Sequence, residues 1–405
     1  MHWREIRIKQ EEQLAPYATR STKSLGRIIE EKPCEVRSAF ERDANRILYS
    51  EDFRRLRHKT QVFFNAKNDH ICTRMEHVLY VNSISNTIGR TLNLNQDLLA
   101  AIALGHDLGH APFGHSGERA LSKMLNEINP ELSFHHENHS LRVADRLSKR
   151  ISQEKIAGHC GLNLTYEVRD GIVSHCGENY EEFRLHADKT KKPEDIYTTD
   201  HRHCMPYTLE GCLVRLVDKI AYVGRDIEDA IRAQLIDYND ISKEVRNVLG
   251  STNGEMINTL VKDLIENSFG KEEICLSEEK GLALRDMIYE NNTNIYRSEM
   301  IIQYEKNANN TMVGLFKMLY SYTKEIWGEA RAMTPVGTDP MTVPETALNS
   351  LMSVNSPAVK NRLISFILDK GYGIDEVPAE QIVADYIAGM TDAYALKTFE
   401  ELYWI

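Results

Sequence analysis

Apolar residues recur at every third or fourth position from Phe40 onward, which is the spacing of an α-helix that buries one face. In the stretch 75–92 these residues are Val78, Leu79, Val81, Ile84, Ile88 and Leu92. Alternation typical of strands is scarce, and no hairpin dipeptide separates two β-branched runs. The sequence therefore predicts an all-α fold.

The same spacing predicts the other helices and the breaks between them. Asn95 is a suitable N-cap for a helix over 97–104, and a Gly/Pro-rich loop ends that helix. Further helices are expected at about 116–128, 137–152, 166–176, 209–235, 255–268, 281–328, 357–369 and 378–402. We expect an irregular arm up to about residue 37, a loop or lid-like insertion over 185–206, and an exposed connection over 334–344.

Composition limits the setting in which the chain works. With 405 residues, 42% of them hydrophobic, it can bury a sizeable core in one large body or two packed ones. A formal net charge of −11 argues against a general coating of DNA or of an anionic membrane. Seven cysteines without a CxxC pair indicate a reducing compartment. Since neither a signal-peptide core nor a run of roughly 18–20 apolar residues is present, we expect a cytoplasmic protein without a membrane partner.

Histidine is unevenly distributed: eleven of the fifteen lie between His106 and His203. The densest stretch is 104–118 (LGHDLGHAPFGHSGE), where an apolar helix runs into a Gly/Pro turn. A His-Asp pair at such a helix end can present two ligands to one metal ion, and the glycines allow close approach of a substrate. In the alternative interpretation, His106 is a cation near the helix dipole and Asp107 is its solvated neighbour.

Two distant segments can complete a metal site. His77 stands at the head of an apolar helix, and Asp218, Tyr222 and Asp226 follow one another at i, i+4 and i+8 on a second helix. The alternative is a surface stripe paired with Lys219 and Arg225. Together, His77, His106, Asp107 and Asp218 would supply two imidazoles and two carboxylates. This mixed set suits Mn, Mg, Fe, Co or Ni better than an all-thiolate zinc site does.

These residues resemble the metal-binding pattern of the HD phosphohydrolase superfamily. A closer resemblance, to the deoxyguanosine-triphosphate triphosphohydrolase (dNTP triphosphohydrolase) family, extends over 42–50, 53–63, 106–118, 161–165, 218–229 and 385–392. It implies an amino-terminal arm at 1–36, an HD-domain helical bundle at 37–235, and helical C-terminal additions at 236–405 packed on the HD domain. Within the carboxyl half, about 236–380 resembles the family only loosely.

The resemblance also implies a reaction and the residues that perform it. Water would attack the α-phosphorus of a deoxynucleoside triphosphate, releasing a deoxynucleoside and tripolyphosphate. His115 and Glu118 correspond to a catalytic pair one helical turn apart, His136 belongs to a Phe-x-His element, and His110 would lie between the metal and the phosphates. Which imidazole is the base and which the acid stays open.

Substrate contacts follow from the same resemblance. Gln61 and Asp226 match residues that bind the sugar 3′-hydroxyl, Val62 would crowd a 2′-hydroxyl, and Tyr222 would pack against the sugar. The expected phosphate contacts are Arg74, Lys219 and Arg297. The chain departs from many relatives at Glu137, where they have Asn, and at 75–76, where Met-Glu replaces Leu-Thr.

Rival interpretations are a structural zinc site, another substrate, or a non-catalytic regulator. The pairs 159–160, 175–176 and 203–204 are each His-Cys, although adjacent side chains seldom chelate one zinc ion in regular structure. An HD site can also act on a nucleoside monophosphate or a cyclic phosphodiester. The basic residues Arg54, Arg55, Arg57 and Lys59 suggest either a single-stranded DNA contact or a helix face that anchors salt bridges. The resemblance implies a homo-oligomer, with a nucleotide activator as a further candidate partner.

Overall fold

A computed structural model of the chain describes residues 3–61, 72–149, 161–176, 181–198, 200–333, 345–352, 356–373 and 376–404. These residues are predominantly helical, which confirms the all-α prediction. The first helices are α1 (Trp3–Glu12), α2 (Ala39–Tyr49), α3 (Glu51–Arg55), α4 (Arg74–Thr91), α5 (Gln96–Gly105), α6 (Gly114–Ile128), α7 (His136–Arg142), α8 (Tyr166–Val173) and α9 (Leu209–Arg232). The later helices are α10 (Lys243–Leu249), α11 (Asn253–Ser268), α12 (Glu278–Asn291), α13 (Glu299–Met333), α14 (Glu345–Leu351), α15 (Ala358–Lys370), α16 (Ala379–Ala388) and α17 (Asp392–Tyr403).

Short elements connect these helices. Strands β1 (Arg184–Leu185) and β2 (Ile274–Cys275) pair in antiparallel orientation. Two π-helical turns extend helices α7 and α12 at Val143–Leu147 and Asn292–Tyr296. The 3-10 turns are Ser21–Lys23, Leu56–His58, Pro193–Asp195, His201–His203 and Tyr238–Asp240.

Side-chain caps fix where the two central helices begin. The Asn95 side chain accepts hydrogen bonds from the first turn of α5, as the sequence predicts. Helix α4 begins with a capping box, in which Thr73 and Glu76 each accept a hydrogen bond from the other's backbone. These caps satisfy backbone N–H groups in the first turns of α4 and α5.

Helix α5 lies at the centre of the amino-terminal half. It packs against α2, α4, α8 and α9, and seven of its ten residues are buried. A helix that is apolar on nearly every side belongs in a core of this kind. Helix α6 packs against the long helix α13, which in turn packs against α16 and α17. One continuous apolar cluster therefore joins the two halves of the chain.

Several predicted elements differ from those in the structure. The single helix expected over 281–328 is two helices, α12 and α13, separated by a π turn that apolar spacing does not reveal. The helix expected over 378–402 breaks between α16 and α17. In the predicted helix 137–152, regular α-helix ends at Arg142.

The amino-terminal segment is more ordered than the irregular arm that we expected. It contains α1, and Thr19 donates hydrogen bonds from its backbone and hydroxyl to the buried Glu210 carboxylate at 3.0 and 2.8 Å. Glu210 also accepts from the backbone N–H of Asn95 at 3.0 Å. The segment is thus tied to α9 and to the start of α5.

None of the helices within the described ranges combines the length and the apolar character needed to cross a bilayer.

Candidate active site

The ends of four helices meet at one place beside the middle of α9. His77 lies in the first turn of α4, and His106 and Asp107 directly follow α5. Glu118 lies in the second turn of α6, and His136 begins α7. Because α9 crosses this region, its Asp218 side chain faces the imidazoles of α4 and α5. The fold therefore collects polar groups from distant segments at the rim of an apolar core.

The four side chains expected to bind a metal ion are close together. The His77 Nε2 atom lies 2.9 Å from Oδ1 of Asp218. The His106 Nε2 atom lies 3.7 Å from the same oxygen and 3.8 Å from Oδ2 of Asp107. His77, His106 and Asp107 form one group whose ligand atoms could share an ion, and His106 and Asp218 form another with His175.

The chemistry of this donor set fits a divalent cation. His106 directs Nδ1 to the Ala103 carbonyl at 2.7 Å, which leaves the lone pair on Nε2. That Nε2 atom is buried and has no hydrogen-bond partner among the described residues. Burial raises the pKa of Asp107, but the Arg74 guanidinium and nearby imidazoles hold it well below its ordinary value. Burial likewise opposes ionisation of Asp218, yet His77 lowers its pKa. An unpartnered imidazole nitrogen beside two ionised carboxylates is suited to Mn, Mg or a related ion.

Arg74 borders this set on the side of α6. Its Nη1 donates to Oδ2 of Asp107 at 2.7 Å, while Nε and Nη2 are buried without a partner among the described residues. A Cβ atom at Gly114 would lie 3.7 Å from Nη2, which locates the guanidinium beside the start of α6. Its remaining donors are available for phosphate oxygens.

Glu118 joins two of the predicted catalytic histidines. Its Oε2 accepts from Nδ1 of His115 at 3.2 Å and from Nδ1 of His136 at 3.0 Å. Burial opposes ionisation of Glu118, but the two imidazoles hold its pKa well below the ordinary value. Burial also disfavours charged His136, yet Cys176 and Glu118 raise its pKa well above the ordinary value. The carboxylate is thus ionised beside a protonated imidazole.

His110 completes this cluster in a different electrostatic setting. Its ring stacks on that of His136 with 4.6 Å between centroids, and its Nε2 is buried without a partner among the described residues. Burial, reinforced by the charge of Arg74, lowers the pKa of His110 well below the ordinary value. His110 is therefore a neutral imidazole next to a charged one.

The loop between α5 and α6 requires its unusual residues. A Cβ atom at Gly109 would lie 2.2 Å from the backbone nitrogen of Ser140, so only glycine allows α7 to approach this closely. Phe113 has a left-handed φ of 63° directly before α6. Its N–H donates to Oδ1 of Asp392 at 3.0 Å, and Oδ2 of Asp392 accepts from Thr60. One buried carboxylate of α17 thus holds both the loop and the segment that precedes Gln61.

Replacing Asp392 with Ala should lower the free energy of unfolding by about 3–5 kcal/mol, because the buried N–H of Phe113 and the half-buried Thr60 lose their acceptor. We expect kcat to fall about 10- to 100-fold, since a small displacement of catalytic groups has effects of this size. Denaturant unfolding and steady-state kinetics measure the two effects. Asp286→Ala, at an exposed residue paired with Arg285, is the control. Unchanged stability and kcat in Asp392→Ala would contradict this role.

The residues expected to contact the sugar lie on the carboxy-terminal side of α9. Asp226 is buried, accepts a hydrogen bond from the Tyr296 hydroxyl, and retains Oδ1 without a partner among the described residues. Tyr222 is half-buried one turn earlier. Gln61 is half-buried, and its Oε1 has no partner within the described part of the chain. Val62 lies outside the described residues.

The stripe does not lie on an open surface, since Asp226 is buried and Asp218 and Tyr222 are half-buried. Asp226 is 2% exposed, and Arg225 pairs with Glu228 at 2.9 Å. Lys219 is buried 3.9 Å from Glu182, and burial lowers its pKa to about 8. Arg297 is exposed directly after the second π turn.

The pKa of Asp226 predicts an unusual dependence of stability on pH. Burial raises this pKa from 3.8 to about 7, so the folded protein binds a proton that the unfolded chain releases above about pH 4. Stability should therefore fall as the pH rises from 4 to 7, by at most about 4 kcal/mol. Asp226→Asn keeps the acceptor for Tyr296 and removes this penalty, so it should be more stable than wild type at pH 8 and similar at pH 4.

Thermal unfolding in the presence of a chelator tests this prediction, because no bound cation then alters the charge near Asp226. Asp240→Asn, at a residue in an exposed 3-10 turn, serves as the control and should follow wild type. If Asp226→Asn were less stable than wild type at pH 8, the ionised carboxylate would not destabilise the folded protein and the prediction would be wrong.

Sequence reasoning missed four residues that the structure brings to this place. His175 and Cys176 follow α8 and contact His136, whereas their sequence pattern suggests only a separate zinc site. The Tyr296 hydroxyl donates to Asp226, and Asp392 accepts from the loop between α5 and α6. Three features of the sequence could have pointed to these residues. They are the adjacent His175 and Cys176, the position of Tyr296 directly before Arg297, and the inclusion of Asp392 in the family-like block 385–392.

Two family models and several known proteins match this chain. The family model of the HD domain matches residues 74–223, and that of the phosphohydrolase-associated domain matches 370–401. The chain is 37% identical to a deoxyguanosinetriphosphate triphosphohydrolase-like protein of Caldanaerobacter subterraneus subsp. tengcongensis, over 96% of this chain and 92% of that one. Proteins of the same name from Desulfatibacillum aliphaticivorans and Clostridium tetani are 33% and 34% identical over 96% of this chain, and over 95% and 93% of their own lengths.

Proposed function

We propose, because this chain belongs to the family of deoxyguanosinetriphosphate triphosphohydrolase-like proteins, that it hydrolyses deoxynucleoside triphosphates to a deoxynucleoside and tripolyphosphate. The observation that carries the proposal is the position of Arg74. It borders both the group of imidazole and carboxylate ligands and the loop that leads to the Glu118 cluster. Such an arrangement suits a phosphorylated substrate attacked by water.

His77, His106, Asp107 and Asp218 are the residues that would hold a divalent ion, with Mn, Mg, Fe, Co and Ni as candidates. When bound, such an ion polarises a phosphoryl oxygen and favours the attacking form of water. The unpartnered Nε2 of His106 supports this assignment, because a buried lone pair without a donor needs a partner.

In the proposed reaction, the protein's own groups position water and move protons. Glu118 orients His115 and His136 through their Nδ1 atoms. The Nε2 atom of His115 would face a reactant, and that of His136 would exchange its 3.1 Å contact with Cys176 Sγ for one to the reactant. One imidazole positions or deprotonates the water, and another protonates the leaving 5′-oxygen. Neutral His110 would contact the phosphates from between the two groups.

The substrate is proposed to lie along α9. Arg74 and Lys219 bind phosphate oxygens, while Asp226 and Gln61 offer unpartnered oxygens to the sugar 3′-hydroxyl. Tyr222 packs against the sugar, Val62 crowds a 2′-hydroxyl, and Arg297 extends the phosphate contacts. An acceptor that is buried and unsatisfied favours a sugar that can donate to it.

We propose a division into an arm at 1–36, an HD domain at 37–235 and a C-terminal region at 236–405. Contacts of α6 with α13 and α16 support packing of the last two on each other. From family membership we also propose a homo-oligomer and a nucleotide activator.

The basic run offers less surface for single-stranded DNA than the sequence suggests. Arg54 and Arg57 are exposed, but Lys59 is buried and Arg55 pairs with Asp52.

Product analysis in ¹⁸O-labelled water tests the proposed reaction. The purified protein is incubated with each dNTP and NTP, with Mn or Mg, and the products are separated and weighed by mass spectrometry. We expect unlabelled deoxynucleoside and one ¹⁸O atom in tripolyphosphate, since water attacks phosphorus. Labelled deoxynucleoside would indicate attack at carbon instead. Release of a monophosphate or diphosphate, or hydrolysis of only a monophosphate or cyclic phosphodiester, would overturn the proposal.

A further inference from the structure

A thiol and two imidazoles converge where α8 ends, beside the catalytic cluster. Cys176 Sγ lies 3.1 Å from Nε2 of His136 and 3.3 Å from Nε2 of His175. The three candidate ligand atoms all lie within 4.8 Å of one another. His175 and Cys176 follow α8 in irregular backbone, so the usual objection to adjacent ligands in regular structure does not apply here.

Both imidazoles are already oriented to present Nε2. His136 directs Nδ1 to the Glu118 carboxylate at 3.0 Å, and His175 directs Nδ1 to the Ile172 carbonyl at 2.6 Å. Metal-binding histidines commonly use a carboxylate or backbone carbonyl in this way to fix the ring and its tautomer. Both Nε2 atoms face the same sulfur atom. A cation bound there would displace the Nε2 proton of His136 and the thiol proton of Cys176 to solvent.

The donor type separates this site from the neighbouring one. His77, His106, Asp107 and Asp218 offer nitrogen and oxygen, whereas the second group offers two nitrogens and one sulfur. Thiolate with imidazole suits Zn²⁺, and three protein ligands leave a fourth position for water or a phosphate oxygen. The possible ligand atom of His175 also lies within 4.8 Å of those of His106 and Asp218. His175 therefore lies between the two sites and contacts the ring of His106.

We propose that His136, His175 and Cys176 form a second, inhibitory metal site that takes Zn²⁺ or a similarly thiophilic divalent cation. Binding would occupy Nε2 of His136 and so withhold this imidazole from the reactant. The inhibitory part rests on the proposed function, whereas the binding of the cation does not.

Cadmium titration measures cation binding at this site without substrate turnover, because a cadmium–thiolate bond absorbs in the ultraviolet. The full chain, with its catalytic set saturated by Mn or Mg, is titrated with Cd²⁺ and then with Zn²⁺ in competition. Wild type should gain the absorption with about one equivalent per chain. Cys176→Ser should lose that contribution and bind Zn²⁺ at least about 10- to 100-fold more weakly. Circular dichroism and thermal unfolding establish that the variant is folded, and Cys176→Ala provides a second replacement.

Two cysteines serve as matched controls. Cys204 also follows a histidine, and Cys34 is a partly exposed thiol whose pKa is lowered to about 7, chiefly by a hydrogen bond from the Arg37 backbone. Cys204→Ser and Cys34→Ser should each keep the Cys176-dependent absorption. If wild type and Cys176→Ser have the same cadmium spectrum, the site does not exist.

Inhibition is measured separately on dNTP turnover. Zn²⁺ should inhibit wild type and both control variants, whereas Cys176→Ser should need at least about tenfold more Zn²⁺ for the same fractional loss. Cation binding without inhibition would overturn the inhibitory role. A thiolate spectrum in a protein that hydrolyses no dNTP would instead refute the proposed function while leaving the metal site intact.

Discussion

Replacing His106 and Asp107 together with Ala is expected to abolish both the retention of a divalent ion and turnover. The double variant removes the unpartnered imidazole nitrogen and one of the two ionised carboxylates, so half of the proposed ligand set is lost. Stabilisation of developing phosphoryl charge by a bound ion contributes several kcal/mol, so the rate should fall by at least about 1,000-fold.

Metal content after gel filtration and thermal unfolding with added Mn measure the loss independently of the substrate. An ion that binds the folded state raises the unfolding temperature by mass action, so wild type should respond and the variant should not. His186→Ala, at an exposed residue outside the cluster, should behave as wild type. Full activity or normal metal content in the double variant would refute this site.

Glu118→Gln should lower kcat by about 100- to 10,000-fold, which is the usual range for loss of a positioned acid–base system. The amide keeps the size of the side chain but removes the charge that orients His115 and His136. Because this charge also helps to raise the pKa of His136, the variant's imidazole should lose its proton at lower pH. The alkaline limb of the kcat profile should therefore move to lower pH.

Initial rates across pH, together with metal content, distinguish this effect from loss of the ion. Metal retention should stay normal in Glu118→Gln, in contrast to the His106/Asp107 variant. Glu127→Gln lies on the same helix at an exposed residue near Lys123 and is the matched control. A rate within a few-fold of wild type in Glu118→Gln would show that the carboxylate is not part of the catalytic system.

Local patterns in the sequence were sufficient to predict much of the framework. The apolar spacing of α5 and the Asn95 cap locate this helix, and the spacing along α9 predicts which of its polar residues share a face. The geometry of the candidate ligands agrees with the expectation that distant helices complete the set around His106 and Asp107. Their roles in binding and catalysis remain predictions.

Contacts between distant segments were beyond such patterns. Asp392 bonds Phe113 across 279 positions, and Cys176 meets His136 across 40, so no local period relates either pair. The position of Lys59 was also beyond local patterns, because in the sequence it belongs to a basic run that suggests an exposed surface. In the fold its Nζ is buried and donates to the carbonyls of His110 and Ala388, and burial lowers its pKa to about 7. Desolvation and packing, rather than residue type, decided where this charge lies.

The hydrogen bond from Phe113 to Asp392 can form only after most of the chain has been synthesised. Asp392 is translated 279 residues after Phe113, an interval of roughly 15–60 s at ordinary elongation rates. A nascent chain that has passed Asp218 already carries all four proposed metal ligands, yet its left-handed loop residue still lacks an acceptor. A chain that ends before α17 would therefore keep the proposed ligands and lack the acceptor that holds the loop between α5 and α6.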